Sequence, residues 1–211
     1  MEIFDYTLKQ LNAFFPDKNL IEADKMRLLG KKAHVRTLHC FDHTTAFNQH
    51  NGYVNFLHGD QYATYLYFLS NESYVEGYEP LYAKSALLNK SLHGIDLFGH
   101  IQMPEIFRLI HPMGSIVGRA QLGNRLVIYQ NITIGGKHTE DGIDYPIIGN
   151  DVCLFSNASV IGKCKIGNGA IVAANSSIVD TEVQEGHMVA GHYPNNVQKA
   201  VQKNLTSKFF I

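Results

Sequence analysis

Asp96 and His111 are the two side chains whose types and spacing could do chemistry. A histidine titrates near neutral pH, so it can accept a proton from a weak acid, and a carboxylate can fix its tautomer and stabilise its charged form. The two residues are fifteen positions apart, and Pro112 follows the histidine directly. From these residues alone, the simpler interpretation is that His111 caps a structural element before the proline.

Other chemically capable groups are scattered. His39, Cys40 and His43 lie close together, but no second ligand pair has zinc-site spacing, so we interpret them as structural or surface residues and expect no metal. No phosphate-binding loop or dinucleotide fingerprint is present. The chain has 3 cysteines. An odd number without metal-like spacing favours a reducing cytoplasm.

The element that must position Asp96 and His111 is a repeat with a period of six. Branched aliphatic residues recur at Ile110, Ile116, Leu122, Ile128 and Ile134, then at Ile148, Leu154, Val160, Ile166, Val172 and Ile178. This period fits neither a helix nor a plain strand, but it suits one side of a parallel β-helix, with three sixes in each triangular coil. Glycine and asparagine follow many aliphatics, at Gly118, Gly123-Asn124, Gly135-Gly136, Gly149-Asn150 and Gly167-Asn168. We expect them to supply left-handed corners.

Upstream of residue 94 the apolar spacing is helical. Helices are predicted at Phe4–Phe15, Ile21–Phe41, Tyr62–Leu69 and Glu79–His93, the last ending at Gly94. We therefore divide the chain into a helical region (1–94), a β-helix (95–195) and a tail with some helical character (196–211). The polar, glycine-rich segment 135–147 interrupts the repeat and is predicted to be an extruded functional loop.

Composition narrows the partners. The 211 residues are 45% hydrophobic and 18% charged, with a formal net charge of −1. The chain is therefore globular, and without a polybasic run it is not expected to bind nucleic acid or anionic membrane as its main partner. Neither a signal peptide nor a membrane-spanning segment is predicted, which favours a cytoplasmic protein.

A helical N-terminal part followed by hexapeptide coils resembles the bacterial serine O-acetyltransferases of the hexapeptide-repeat acyltransferase superfamily. Three stretches carry the likeness: IDLFGHIQMPEIFRLIHPMG with its Asp–His spacing, VIYQNITIGGK, and VCLFSNASVIGKCKIGNGAIVAANSSIV followed by MVAGHYPN. The resemblance implies a left-handed β-helix after a helical region, which is an α+β fold. It also implies a homotrimer with active sites between neighbouring prisms, and trimers that often pair through the helices.

The same resemblance implies acetyl-CoA as co-substrate, with His111 as the general base that activates an acceptor hydroxyl and Asp96 as its orienting partner. By the same resemblance, the positions that approach the pantetheine arm of the coenzyme are Gly136, Ser156 and Ala174. Lys137 would meet a phosphate of the coenzyme. Coil packing alone also favours small residues at the first three positions, and a solvated lysine suits the fourth equally well.

The acceptor side departs from the family. Ile110 replaces an aspartate before the histidine, and Asp144-Tyr145 replaces the arginine–histidine pair of the loop. A free amino acid needs a cation for its carboxylate, and an aspartate would repel that group. We therefore expect an uncharged, hydroxyl-rich acceptor, such as a sugar or a precursor of surface polysaccharide. The residues expected to line its pocket are Tyr145, Asp144, His58 and Asp60.

Three alternatives remain open from the sequence. One is a serine O-acetyltransferase with a rearranged acceptor pocket, and another is a sugar N-acetyltransferase, since a histidine base also serves amine acceptors. The third is a non-catalytic β-helical scaffold or binding protein, against which the Asp96–His111 pair argues.

Overall fold

The computed structural model describes residues 2–201 and 205–211 and begins with four helices. These are α1 (Ile3–Phe14), α2 (Ala23–Asp42), α3 (Gly59–Val75) and α4 (Glu79–His93). They match the helices predicted from apolar spacing. Helix α3 packs between α2 and α4 and is buried along most of its length. Gly94 ends α4 in the left-handed conformation with φ 65°, as expected for a glycine helix stop.

Successive short strands then lie on three faces of a prism in turn. The first face contains β1 (Phe107–Leu109), β4 (Leu126–Ile128), β9 (Cys153–Leu154), β12 (Ile171–Val172) and β15 (His187–Ala190). The second contains β2 (Ile116–Val117), β5 (Thr133–Gly135), β10 (Ser159–Ile161) and β13 (Ser177–Val179). The third contains β3 (Gln121–Leu122), β8 (Ile147–Ile148), β11 (Lys165–Ile166) and β14 (Glu182–Val183). All pairings within these faces are parallel, which confirms the predicted β-helix.

The interior of the prism confirms the sixfold repeat from Ile128 onward. The repeat positions there are each at most 2% exposed: Ile128, Ile134, Ile148, Leu154, Val160, Ile166, Val172 and Ile178. In the first coil the assignment of Ile110 and Ile116 to the interior was wrong. Leu109 and Val117 are buried instead, and Ile116 is 49% exposed. Leu109 and Val117 are eight residues apart, whereas Ile128 and Ile134 are six apart, so the first corner carries two extra residues that shift the pattern.

The expectation that the glycines and asparagines directly after the aliphatics, such as Gly123-Asn124 and Gly149-Asn150, supply left-handed corners was also wrong. At the corner between the third and first faces, the left-handed residues come two positions later, at Arg125 (φ 56°), Asp151 (φ 59°) and Gly169 (φ 65°). The glycines instead permit close approach of coils. A Cβ on Gly123 would lie 2.3 Å from the carbonyl carbon of Gly149, and one on Gly167 would lie 2.5 Å from the nitrogen of Glu185.

Two segments leave the prism. The loop predicted at 135–147 forms an antiparallel hairpin of β6 (Lys137–Thr139) and β7 (Gly142–Asp144). The end of the chain adds β16 (Val197–Ala200) antiparallel to β15 and a 3₁₀ turn at Leu205–Lys208. Beyond that turn, Phe210 packs on the outer side of the first face. Residues 202–204 of the predicted tail lie outside the described residues. No helix in the described chain is both long and apolar enough to cross a membrane.

Candidate active site

His111 lies at the corner between the first and second faces, directly after β1. Its side chain is exposed, and its backbone is left-handed with φ 49°. Leu109, Ile128, Leu154 and Val172 are register partners on the first face, and His111, Gln130, Ser156 and Ala174 each lie two residues beyond them. Ser156 and Ala174, two of the predicted coenzyme contacts, therefore form one column at the same corner as the predicted base.

Asp96 joins the same coil from the segment after α4. It forms a parallel bridge with Ile116, and its backbone bonds to Ser115 and Val117, just beyond the corner that carries His111. Its carboxylate accepts a hydrogen bond from Lys90 Nζ at 2.6 Å. The fold thus brings Asp96 and His111 to one region, but in the described chain the Asp96 carboxylate bonds to Lys90 rather than to the imidazole.

Asp60 approaches the corner from the first turn of α3. It is 6% exposed, and its Oδ1 accepts a hydrogen bond from the backbone N–H of His111 at 3.2 Å. Its Oδ2 lies 4.0 Å from Nη2 of Arg108. Burial lowers the pKa of Arg108, and the charge of Asp60 opposes that shift. The Arg108 guanidinium also lies 3.7 Å from the ring centroid of Phe47.

His58 caps the same turn of α3 but differs from Asp60 in its surroundings. It is exposed, and its ring meets the edge of Phe47 at a centroid distance of 5.3 Å. Of the two residues predicted from this turn to line an acceptor pocket, only Asp60 contacts His111.

His93 is a group near this site that the sequence analysis did not identify as functional. Its Nδ1 is 2.8 Å from Oδ1 of Asn89, and its ring packs edge-on against Tyr62. Burial lowers the pKa of His93 to about 4, while the nearby charge of Asp60 acts in the opposite direction. The sequence offered one sign of this contact: Asn89 and His93 are four residues apart on one predicted helix, just before the glycine that ends it.

The other predicted residues lie at the second corner, between the second and third faces. Asp144 is the register partner of Lys137 in the hairpin, and Lys137 forms an ion pair with Asp180. A Cβ on Gly136 would lie 2.7 Å from a ring carbon of Tyr145, so this glycine lets the tyrosine pack against the backbone. The structure therefore separates these four residues from His111 by one face of the prism.

Tyr145 borders an open cavity of about 420 Å³ beside the hairpin. The polar groups that line it are His100, Gln102, Arg119, Gln121 and Tyr145. Arg119 is exposed at this second corner and was not identified from the sequence. Among the described residues, no group of three or more histidine, cysteine, aspartate or glutamate side chains could hold a metal ion.

Helices followed by three-faced parallel coils with an extruded hairpin define the hexapeptide-repeat, left-handed β-helix class. Among solved structures, the serine acetyltransferase of Brucella abortus strain S19 superposes with a TM-score of 0.71 at 18% identity, covering 96% of this chain and 84% of that one. Soybean serine acetyltransferase gives 0.69 at 20% identity, covering 93% and 84%. These likenesses establish the fold.

Sequence comparison leads to the same group of proteins. The chain is 30% identical over 99 residues to serine acetyltransferase of Bacillus licheniformis, covering 46% of this chain and 45% of the relative. It is 35% identical over 100 residues to serine acetyltransferase 4 of Arabidopsis thaliana, covering 47% and 28%. The chain thus spans less than half the length of these curated relatives, and no family model matches it. Over about half of its length the chain is therefore similar in sequence to serine acetyltransferases, and it shares the fold of those that have been solved.

Proposed function

We propose that this chain is an acetyl-CoA-dependent O-acetyltransferase with His111 as its general base. The observation that carries the proposal is an exposed histidine at a prism corner, beside the strand segment of Asp96, in a chain similar to serine acetyltransferases. The imidazole takes the proton of the acceptor hydroxyl as its oxygen attacks the thioester carbonyl. The tetrahedral oxyanion then collapses, the C–S bond breaks, and His111 returns the proton to the coenzyme A sulfur.

Serine is the acceptor that the observations favour over the sugar expected from the sequence. The relatives are serine acetyltransferases, and a Neisseria gonorrhoeae neighbour was solved in complex with serine. The objection from sequence was the loss of a loop arginine. Arg119 can replace the missing loop arginine, because it lines the same cavity as Tyr145. Arg119 would hold the carboxylate of the amino acid.

A sugar acceptor remains the second candidate. Gln102, Gln121 and Tyr145 give the cavity hydrogen-bonding groups without charge, which suits a molecule rich in hydroxyls. Thiol release from acetyl-CoA should be measured with L-serine, D-serine and a panel of sugars and nucleotide sugars. Release with L-serine alone supports the proposal, and release with a sugar alone refutes the choice of acceptor. An alkali-labile product distinguishes an ester from an amide.

Arg119→Ala tests the carboxylate contact. The KM for L-serine should rise by about ten-fold or more, as expected for a lost charge-assisted bond, while the KM for acetyl-CoA stays unchanged. Arg27→Ala is a matched control, because Arg27 is exposed on α2 and lies 3.8 Å from Asp5, outside the cavity. An unchanged KM for serine in Arg119→Ala would refute this role.

The separation of His111 from Tyr145 within one chain supports a site shared between subunits of a homotrimer. Such a trimer would set the first corner of one prism against the second corner of its neighbour. The test is made at L-serine concentrations well below its KM, where Arg119→Ala chains alone should keep only about a tenth of wild-type activity. Co-expressed His111→Ala and Arg119→Ala chains should then recover about a quarter of wild-type activity, because random mixing restores about that fraction of shared sites. Activity no higher than that of Arg119→Ala alone would mean that each site lies within one chain. Coenzyme A would lie between the Ser156–Ala174 column of one prism and the Gly136–Lys137 segment of the next.

We also propose a cytoplasmic location. Cys40, Cys153 and Cys164 are all free and buried, which suits a reducing compartment. Cytoplasmic fractionation of the native protein tests this location, and its recovery outside the cytoplasm would refute it.

A further inference from the structure

We infer that Asp60 is a positioning residue, which holds the backbone of His111 in its left-handed conformation. This inference rests on the proposed role of His111 and assigns the first turn of α3 to the catalytic corner. The direct observation is the hydrogen bond from the His111 backbone N–H to Oδ1 of Asp60, at 3.2 Å.

The conformation of His111 requires such support. A left-handed backbone is unfavourable for a residue with a Cβ, and it persists when surrounding contacts over-determine it. At the same corner of later coils the left-handed residue is an asparagine, at Asn131, Asn157 and Asn175, and in the first coil Gly114 (φ 74°) takes the matching place. Those asparagines tolerate the conformation and bond to one another through their side chains. His111 is an additional left-handed residue of the first coil, outside this row of bonded asparagine side chains.

The bond from His111 to Asp60 is charge-assisted, and its 3.2 Å length lies at the long end of the range for N–H···O bonds. A buried carboxylate that accepts a backbone N–H forms a charge-assisted hydrogen bond, and Asp60 is 6% exposed. The Arg108 guanidinium lies 4.0 Å from the other carboxylate oxygen and offsets the buried negative charge. Arg108 sits three residues before His111 on β1, so the carboxylate is fixed against the same segment that it positions.

This geometry argues against Asp60 as an acceptor ligand. Its side chain is 8% exposed, and its two oxygens face the His111 N–H and Arg108. The imidazole of His111, in contrast, is exposed and can face an acceptor, because Asp60 bonds only to the backbone N–H of this residue. The helical region then contributes directly to the catalytic corner.

Three variants separate positioning from a general structural role. Asp60→Leu removes the acceptor and the charge, Asp60→Asn keeps an oxygen that can accept the N–H, and Arg108→Met removes the ion pair but keeps the carboxylate. We expect kcat to fall by about ten-fold to a hundred-fold in Asp60→Leu with the KM for acetyl-CoA unchanged, since misplacement of a catalytic group has effects of this size. Asp60→Asn should recover most of kcat. Arg108→Met should lose less kcat than Asp60→Leu, although it loses at least as much thermal stability.

Amide hydrogen exchange at His111 gives a readout that does not depend on activity. Exchange should accelerate in Asp60→Leu and remain slow in Asp60→Asn. Unchanged exchange and kcat in Asp60→Leu would overturn the inference. A raised acceptor KM with unchanged kcat in Asp60→Asn would also overturn it, by making Asp60 a substrate ligand. If the wild-type chain transfers no acetyl group to any acceptor, the proposed function fails, and exchange still decides whether Asp60 holds this backbone.

Discussion

Lys90 and Asp96 form an ion pair, with Nζ and Oδ2 2.6 Å apart, at the place where α4 passes into the first coil. The side chains are 53% and 28% exposed, so the pair contributes little to stability and exchanges readily. Under the proposed mechanism, Asp96 would turn from Lys90 to His111 when the imidazole takes up a proton. Lys90 would then compete with His111 for this carboxylate.

Lys90→Met should consequently preserve or raise kcat, because it releases Asp96. Its free energy of unfolding should stay within about 1 kcal/mol of wild type, as for other exposed pairs. Asp96→Asn should lower kcat, by less than the removal of His111. Steady-state kinetics and urea unfolding check these outcomes. If Lys90→Met loses as much kcat as Asp96→Asn, Lys90 belongs to the site itself.

His111→Ala should reduce turnover by roughly 10²–10⁴-fold, the usual scale for a lost general base. The fold should remain intact because the side chain is exposed. His187→Ala is the matched control, since His187 lies on β15 in the last coil, whereas His111 follows β1 in the first. Turnover close to wild type in His111→Ala would remove this residue from the mechanism.

The sequence predicted the repeating parts of this fold well. Each coil must bury an aliphatic residue against its neighbours, so the positions from Ile128 to Ile178 follow directly from their spacing. The inward positions of the first coil were assigned wrongly because its corner has two extra residues. These shift which residue points inward, but the residue on either choice is aliphatic. Leu109 and Ile110 are both aliphatic, and only strand pairing shows that Leu109 is the inward residue.

The candidate site was predictable only in part. The Asp96–His111 spacing was visible in the sequence, and the coil geometry brings the two residues to one region. The contact between Asp60 and His111 joins residues 51 positions apart, across the boundary between helices and coils. A contact between residues so far apart in sequence cannot be predicted from local periodicity. Arg119 was missed because it follows the second face as an ordinary polar corner residue, and the cavity brings it together with Tyr145 and with the segment His100–Gln102, which are distant in sequence.

His93 should make stability depend on pH. Its pKa is lowered to about 4 in the folded chain, from about 6.5 when unfolded, because burial disfavours its charged form. As pH falls below about 6.5 the unfolded state binds the proton first, so the contribution present above that pH is lost progressively down to pH 4. At pH 5 the loss should be about 2 kcal/mol.

His93→Gln tests this by removing the titrating group. The difference in unfolding free energy between wild type and His93→Gln should narrow by about 2 kcal/mol between pH 7 and pH 5, measured by urea unfolding. Using the difference between the two proteins cancels most contributions from other titrating groups. A difference that is constant over this range would show that His93 titrates normally in the folded chain.

Gly123→Ala should destabilise the prism far more than Gly77→Ala. A Cβ at Gly123 would lie 2.3 Å from the Gly149 carbonyl carbon and 2.6 Å from the Asn150 nitrogen. Backbone atoms of the next coil cannot move aside without breaking their own pairing, so a loss of about 3 kcal/mol is expected for this overpacking. Gly77 is left-handed with φ 67°, but a methyl group added there would meet nothing within 4 Å. Its substitution should cost only about 1 kcal/mol of backbone strain. Thermal and urea unfolding compare the two variants. Equal losses would mean that coil spacing adjusts to a methyl group, and that glycine stands at this position for its flexibility rather than for close approach.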